Sequence, residues 1–205
     1  MTLRAGDWIE VRSKDEILGT LDNNGRLQEL PFMPQMFQYC GKRFKVFKRA
    51  HKTCDTVNPV AGRRLADAVH LNLRCDGQAY GGCQAACLLF WKEAWLKPVE
   101  ATDAITASSP GDDSFADEAP PVTGGCTEQD VWRATSGIDQ QQGGVQRYFC
   151  QATQLPSFTT RLPWWDVRQY VEDFTSGNVR LGKMFAGFSY LGSYHLALAK
   201  RNRLG

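Results

Sequence analysis

Cys75-Asp76-Gly77-Gln78-Ala79-Tyr80-Gly81-Gly82-Cys83-Gln84-Ala85-Ala86-Cys87 sets three thiols within 13 residues, with three glycines between the first thiol and the second. The segment before it, Ala68-Val69-His70-Leu71-Asn72-Leu73-Arg74, alternates as a half-buried strand does, placing Val69, Leu71 and Leu73 inward and His70, Asn72 and Arg74 outward. After it, Cys87, Leu88, Phe90, Trp91, Ala94 and Trp95 recur at helical spacing, which predicts a Cys83–Leu96 helix stopped before Pro98. A strand, a glycine loop and a helix give a cysteine-rich strand-helix module. Its expected class is α+β.

Within such a helix Cys83 and Cys87 stand at i,i+4 and share a face, so both can reach one ion. Cys83 then lies at the helix N-terminus, where free amides and the dipole favour a thiolate; this also makes Cys83 a candidate for thiol chemistry of its own. Cys75 closes the set from the strand end, and Cys54, in the loop-like stretch His51-Lys52-Thr53-Cys54-Asp55, is the expected fourth ligand. Thiolates select zinc, copper(I) or iron–sulfur clusters. Only Cys83-x3-Cys87 has the close spacing of structural zinc, and the wider separation of Cys54 and Cys75 favours a [4Fe–4S] cluster held in a folded pocket. The plain alternative is a set of free thiols packed as small hydrophobes. Cys40, Cys126 and Cys150 each stand alone among apolar or aromatic neighbours; Cys126 and Cys150 are reserve ligands if the site draws on both halves of the chain.

Cys75-Asp76-Gly77 resembles the start of the CDGSH type of cluster protein, but Gln78-Ala79 replaces Ser-His and the upstream C-x-C is missing. A radical-SAM loop needs a cysteine where Leu89-Phe90 stand. Both families are set aside.

Working toward the N-terminus, Gly6-Asp7-Trp8-Ile9-Glu10-Val11-Arg12 reads as a first strand, Ser13-Lys14-Asp15-Glu16 as a capping box opening a short helix, Asn23-Asn24-Gly25 as a turn, and Gln35 to Tyr39 as a helical turn or two. Lys42-Arg43-Phe44-Lys45-Val46-Phe47-Lys48-Arg49 is a basic strand. The Gly-Asp opening, the turn and the basic strand together resemble an SH3-like small β-barrel of the KOW type over about the first fifty residues. That resemblance implies a barrel and a nucleic-acid role. The run Lys42 to Lys52 would neutralise phosphates, with Phe44 and Phe47 stacking on bases. A solvated strand face is the simpler explanation, and nucleic acid ranks below a redox or biosynthetic protein partner. Taken whole, the chain resembles uncharacterised bacterial proteins, which implies a specialised bacterial pathway.

The net charge of +2 is unevenly spread: residues 101–125 carry five acidic and no basic groups, whereas residues 126–205 carry nine basic and six acidic. The expected organisation is an SH3-like β region at 1–52, a metal or cluster module at 53–100, an acidic flexible linker at 101–125 and a mainly helical region at 126–205. In the last, Glu128–Thr135, Val167–Thr175 and Leu181–Lys200 are the expected helices and Arg147–Gln151 a strand. Met184–Ala199 is an apolar run of 16 residues, long enough for an interfacial helix that touches a membrane peripherally and short for a span; packing onto the N-terminal part is the preferred reading. Pro163-Trp164-Trp165-Asp166 is read as an anchor. His51 and His70 are expected on solvated strand faces and His195 inside the last helix. With no basic-plus-apolar leader at Met1 to Asp7, the expected compartment is the reducing cytoplasm. No nucleotide-binding or Ser-His-Asp motif is present, so the sequence leaves open whether the protein is an enzyme.

Overall fold

The alternation at Trp8-Ile9-Glu10-Val11 forms strand β1 (Trp8–Val11), with Ile9 and Val11 buried and Trp8 outside. Register then explains a surface ion pair: β1 runs antiparallel to β4 (Arg43–Lys45) with Glu10 opposite Arg43, and the two side chains meet at 3.1 Å. Between them lie helix α1 (Lys14–Leu18) and the short strands β2 (Arg26–Leu27) and β3 (Leu30–Pro31). The predicted capping box on α1 is present: the Glu16 amide donates to Ser13 Oγ at 3.3 Å and the Ser13 amide to Glu16 Oε2 at 2.9 Å. A 3-10 turn at Pro34–Tyr39 follows. This computed structural model describes residues 2–56, 58, 62–99, 125–139, 144–187, 189–190 and 193.

The basic stretch is not one strand. It bends twice into β4, β5 (Lys48–Arg49) and β6 (Lys52–Cys54), and each joins a different sheet. β4 belongs to β10-β1-β4, where β10 is Leu96–Pro98. β5 belongs to β5-β8-β9, with β8 at Ala68–His70 and β9 at Trp91–Lys92. β6 belongs to β13-β7-β6, with β7 at Gly62–Arg64 and β13 at Thr160–Leu162. Two-stranded pairs β2-β3 and β11-β12 (Ser136–Asp139 with Val145–Tyr148) complete the sheets, all antiparallel. The fold is therefore mixed α+β, with small antiparallel sheets and few helices; among the described residues no sheet closes into an SH3-like barrel.

The predicted Cys83–Leu96 helix is also absent. Residues 83–87 are irregular, and Leu88 onward returns as a strand antiparallel to the 68–74 segment through β8-β9, the Arg74–Leu88 bridge and the Cys75 amide donating to Cys87 O at 2.9 Å. Leu89, Phe90, Trp91 and Lys92 are all buried, and a run buried on both faces has no period to separate strand from helix. The module is a β-hairpin. For the same reason His70 does not face water: β8 is the central strand of its sheet, and Ala68, Val69 and His70 are all buried.

Among the described residues the C-terminal part carries short strands as well as helices. Besides β11, β12 and β13 it has α2 (Glu128–Arg133), α3 (Leu155–Phe158) and α4 (Arg168–Thr175), and residues 181–187 are helical. It does not stand apart. β13 pairs with β7, and Val131, Leu155 and Phe158 share one apolar core with Ile9, Met36 and Trp95. The predicted linker, apart from Gly125, and His195 lie outside the described residues.

Candidate metal centre

Two side-chain amides position the hairpin tip. Buried Gln151 behaves like a strand residue in miniature: its Oε1 accepts from the Phe90 amide at 2.8 Å, and its Nε2 donates to the Phe90 and Pro31 carbonyls, each at 3.0 Å. This fastens the segment carrying Cys150 against the returning arm of the hairpin. Gln35, from the 3-10 turn, donates Nε2 to Cys75 Sγ at 3.2 Å.

The loop between the arms folds back closely enough to require glycine. At Gly77, φ is +72° and a Cβ would lie 1.9 Å from the Cys83 carbonyl oxygen; at Gly81, φ is +64° and a Cβ would lie 2.8 Å from the Tyr148 ring. The result is a hollow of about 140 Å³ whose lining includes Cys75, Cys83, Cys87 and Cys150, with Met33, Tyr80 and Phe90 among its apolar walls. Cys75 and Cys150 are half-buried, and Cys83 and Cys87 are exposed. Burial pushes the Cys75 thiol up, and negative charge on Cys150, Asp76 or Cys87 pushes it further, against a hydrogen bond from the Gly77 backbone. Cys87 is raised likewise, by burial and then by Cys150 and Cys83. Thiols drawn together around this hollow would repel as thiolates, a repulsion that a cation offsets.

Three of the four expected ligands therefore line one hollow. Cys54 does not: it is exposed at the end of β6 and is not among the lining residues. Cys150, a reserve in the sequence reading, is the fourth cysteine lining the hollow; a lone cysteine far along the chain gives no spacing signal, and the Gln151 clamp beside it brings it there. The helical i,i+4 relation and the dipole argument for Cys83 fall away with the helix. Among the described residues no three His, Cys, Asp or Glu side chains are already grouped to hold a metal ion, so closure requires the exposed Cys83 and Cys87 to turn inward. Cys40 and Cys126 lie elsewhere, both thiols raised chiefly by burial.

Neither described histidine reaches the hollow. His70 Nδ1 donates to Leu89 O at 2.8 Å, and burial lowers its pKa to about 4. His51 is buried with Nε2 3.2 Å from Asp173 Oδ1, and burial outweighs the raising effect of Asp173 and Glu172 to push its pKa below the usual value. The basic run is partly consumed: Arg43 pairs with Glu10, Arg49 with Glu93 at 2.5 Å, and Lys52 with Asp173. No family model matches the chain, and no curated protein or solved structure shows significant similarity to it.

Proposed function

We propose that Cys75, Cys83, Cys87 and Cys150 hold a soft-metal centre, an iron–sulfur cluster, and that the protein works as a redox partner in a reducing, cytoplasmic compartment. The observation that carries the reading is the meeting of four thiols from three chain segments around one apolar hollow. All seven cysteines are unpaired, so the four are available as ligands. A hollow larger than one ion suits a cluster, and exposed Cys83 and Cys87 leave its edge open to an electron-transfer partner. The Gln35 amide on Cys75 sulfur is a donor of the sort that tunes thiolate centres.

Zinc is the second reading, favoured by the tip itself: residues 81–87 are all exposed, so the loop has no core of its own and would gain from a structural staple. Under that reading the basic face left at Lys42, Lys45 and Lys48 would serve a nucleic-acid or acidic partner. Anaerobic purification followed by iron, sulfide and zinc analysis separates the two. Iron with sulfide supports the cluster, one equivalent of zinc without colour moves the assignment to the staple, and neither metal, whether the protein is purified without air or in air with zinc supplied, removes the site. Cys150→Ser is expected to lose most of the metal and Cys54→Ser to keep it; the reverse result would reinstate Cys54 as ligand.

A further inference from the structure

Helix α4 is built inside out. Its inward positions, Gln169 and Asp173, are buried and polar: Gln169 Nε2 donates to the Pro163 and Trp164 carbonyls at 3.1 and 3.2 Å, and Asp173 meets His51 and Lys52. Its outward side carries Val171 and Phe174, with Val167 just before the first turn; at spacings of four and three residues they form one apolar stripe, and all three are exposed. The stripe does not end with the helix. Trp164 and Trp165 before it are 80% and 66% exposed, and Leu181, Phe185 and Tyr190 after it are exposed as well, giving eight large apolar side chains in water between residues 164 and 190. Of the apolar run Met184–Ala199 expected to pack onto the N-terminal part, Met184 is half-buried and Phe185 and Tyr190 are exposed, and the greater part lies outside the described residues.

Charge identifies what this face fits. Arg161, Arg168, Arg180 and Lys183 are exposed among these side chains. The acids of the segment are occupied: Asp166 by Arg168 and Arg64, Glu172 by Arg64, and Asp173 by His51 and Lys52. From residue 174 to residue 205 the sequence has five Lys or Arg and no Asp or Glu. Tryptophan, tyrosine and phenylalanine amid basic groups with no free acid is the composition that settles at an anionic lipid interface, where indoles sit at headgroup depth and cations meet phosphates. A second copy of the chain fits poorly, because a two-fold contact would set this positive face against itself. No helix among the described residues is long and apolar enough to cross a membrane.

We propose that the surface formed by Trp164, Trp165, Val171, Phe174, Arg180 and Phe185 docks the protein peripherally on an anionic membrane. The Trp164 carbonyl is fixed by Gln169 and by the Tyr170 hydroxyl at 2.9 Å, so the turn presents its indoles from a defined backbone. This assignment stands independently of the metal.

The test is flotation of the full-length protein with phosphatidylcholine vesicles and with mixed phosphatidylcholine–phosphatidylserine vesicles. Binding to the mixed vesicles that weakens with salt is expected, falling roughly 25-fold in Arg180→Ala/Lys183→Ala and by a comparable factor in Trp164→Ser/Trp165→Ser. Because all four side chains are exposed, the far-ultraviolet circular dichroism and thermal midpoint of both variants should match the parent. Absence of binding to the mixed vesicles at low salt, or binding unchanged in both variants, overturns the proposal. A dimer in solution that Val171→Asp dissociates overturns it in favour of a second copy.

Discussion

The hairpin tip and the seat of α4 are opposite arrangements of polar and apolar groups. At the tip, exposed chain surrounds an apolar hollow, and shape comes from Gly77 and Gly81 in the left-handed region and from the Gln151 clamp at its base. At the seat, charge is inside: Asp173 accepts from Lys52 beneath the helix, with His51 Nε2 3.2 Å away and donating to the Gln169 carbonyl at 3.3 Å, and Asn178 imitates a strand by bonding both the amide and the carbonyl of Arg49, at 2.8 and 2.9 Å. At the seat the charges meet side chains of opposite sign, whereas at the tip four cysteines line a space. Damage to the seat should therefore spread through the whole fold, and damage to the tip should stay local and be read in metal content.

The largest effect is expected from Asp173→Ala. It removes the carboxylate shared by Lys52, whose side chain is 34% exposed, and buried His51, and the loss is expected at about 3 kcal/mol. Urea unfolding should show the midpoint falling with no change in slope; a loss under 1 kcal/mol would mean that the ion pairs merely decorate the helix.

Next in size is an acid dependence seated in β8. The folded pKa of His70, about 4, lies below the unfolded value near 6.5, so between those limits the unfolded chain binds a proton that the folded chain refuses. Stability is thus full above about pH 6.5 and falls as pH drops, by roughly 3 kcal/mol at pH 4 from this residue. His51, also depressed, adds to the same trend. His70→Asn, which retains a donor for Leu89 O, should flatten the profile while leaving stability at neutral pH nearly intact. Thermal melts from pH 7 to pH 4 measure this, and an unchanged profile in the variant would place the acid sensitivity elsewhere.

Much of the N-terminal half was readable from residues alone. Ser13 and Glu16 announced a capping box and Ile9 and Val11 a half-buried strand; each is local, fixed by neighbours within a few positions, as is the closeness of Cys75, Cys83 and Cys87 around one hollow. What failed depended on distant chain. His70 reads as outward until β5 and β9 flank it, and Leu88–Lys92 reads as helix because a strand buried on both faces loses its alternation. Lys52 reads as a free cation until Asp173 arrives from a helix late in the sequence. That Cys150 and not Cys54 lines the hollow depends on Gln151 bridging Phe90 and Pro31 from far along the chain. The expected Val167–Thr175 helix is present as α4, but a helix read from local residues does not say which way its sides face.

At the tip, Gly77→Ala forces a Cβ into the Cys83 carbonyl at a positive φ, and because the obstruction is backbone the loop must move. A loss of about 2 kcal/mol is expected, smaller than for Asp173→Ala, since residues 81–87 are exposed and can shift without disturbing the core. Metal content should suffer more than stability, because Cys83 moves with the loop. A variant that unfolds as readily as Asp173→Ala would erase the contrast between local and global damage.

The smallest effect is the most discriminating for α4. Val171 is a β-branched apolar residue in a helix, and an ordinary core-facing helix would lose about 2 kcal/mol or more when such a residue became serine. Here the side chain is exposed and packs on nothing that folding requires, so Val171→Ser should leave the unfolding free energy within about 0.5 kcal/mol of the parent, and Trp164→Ser likewise. The inward partner gives the control: Gln169→Leu puts an apolar group where Gln169 Nε2 bonds two carbonyls, and should destabilise although it makes the helix more hydrophobic. A helix in which adding apolar character inside harms folding and removing it outside does nothing is held by its polar face. If Val171→Ser instead cost as much as a core substitution, the stripe would be packed in solution, and the outward orientation of α4 would be wrong.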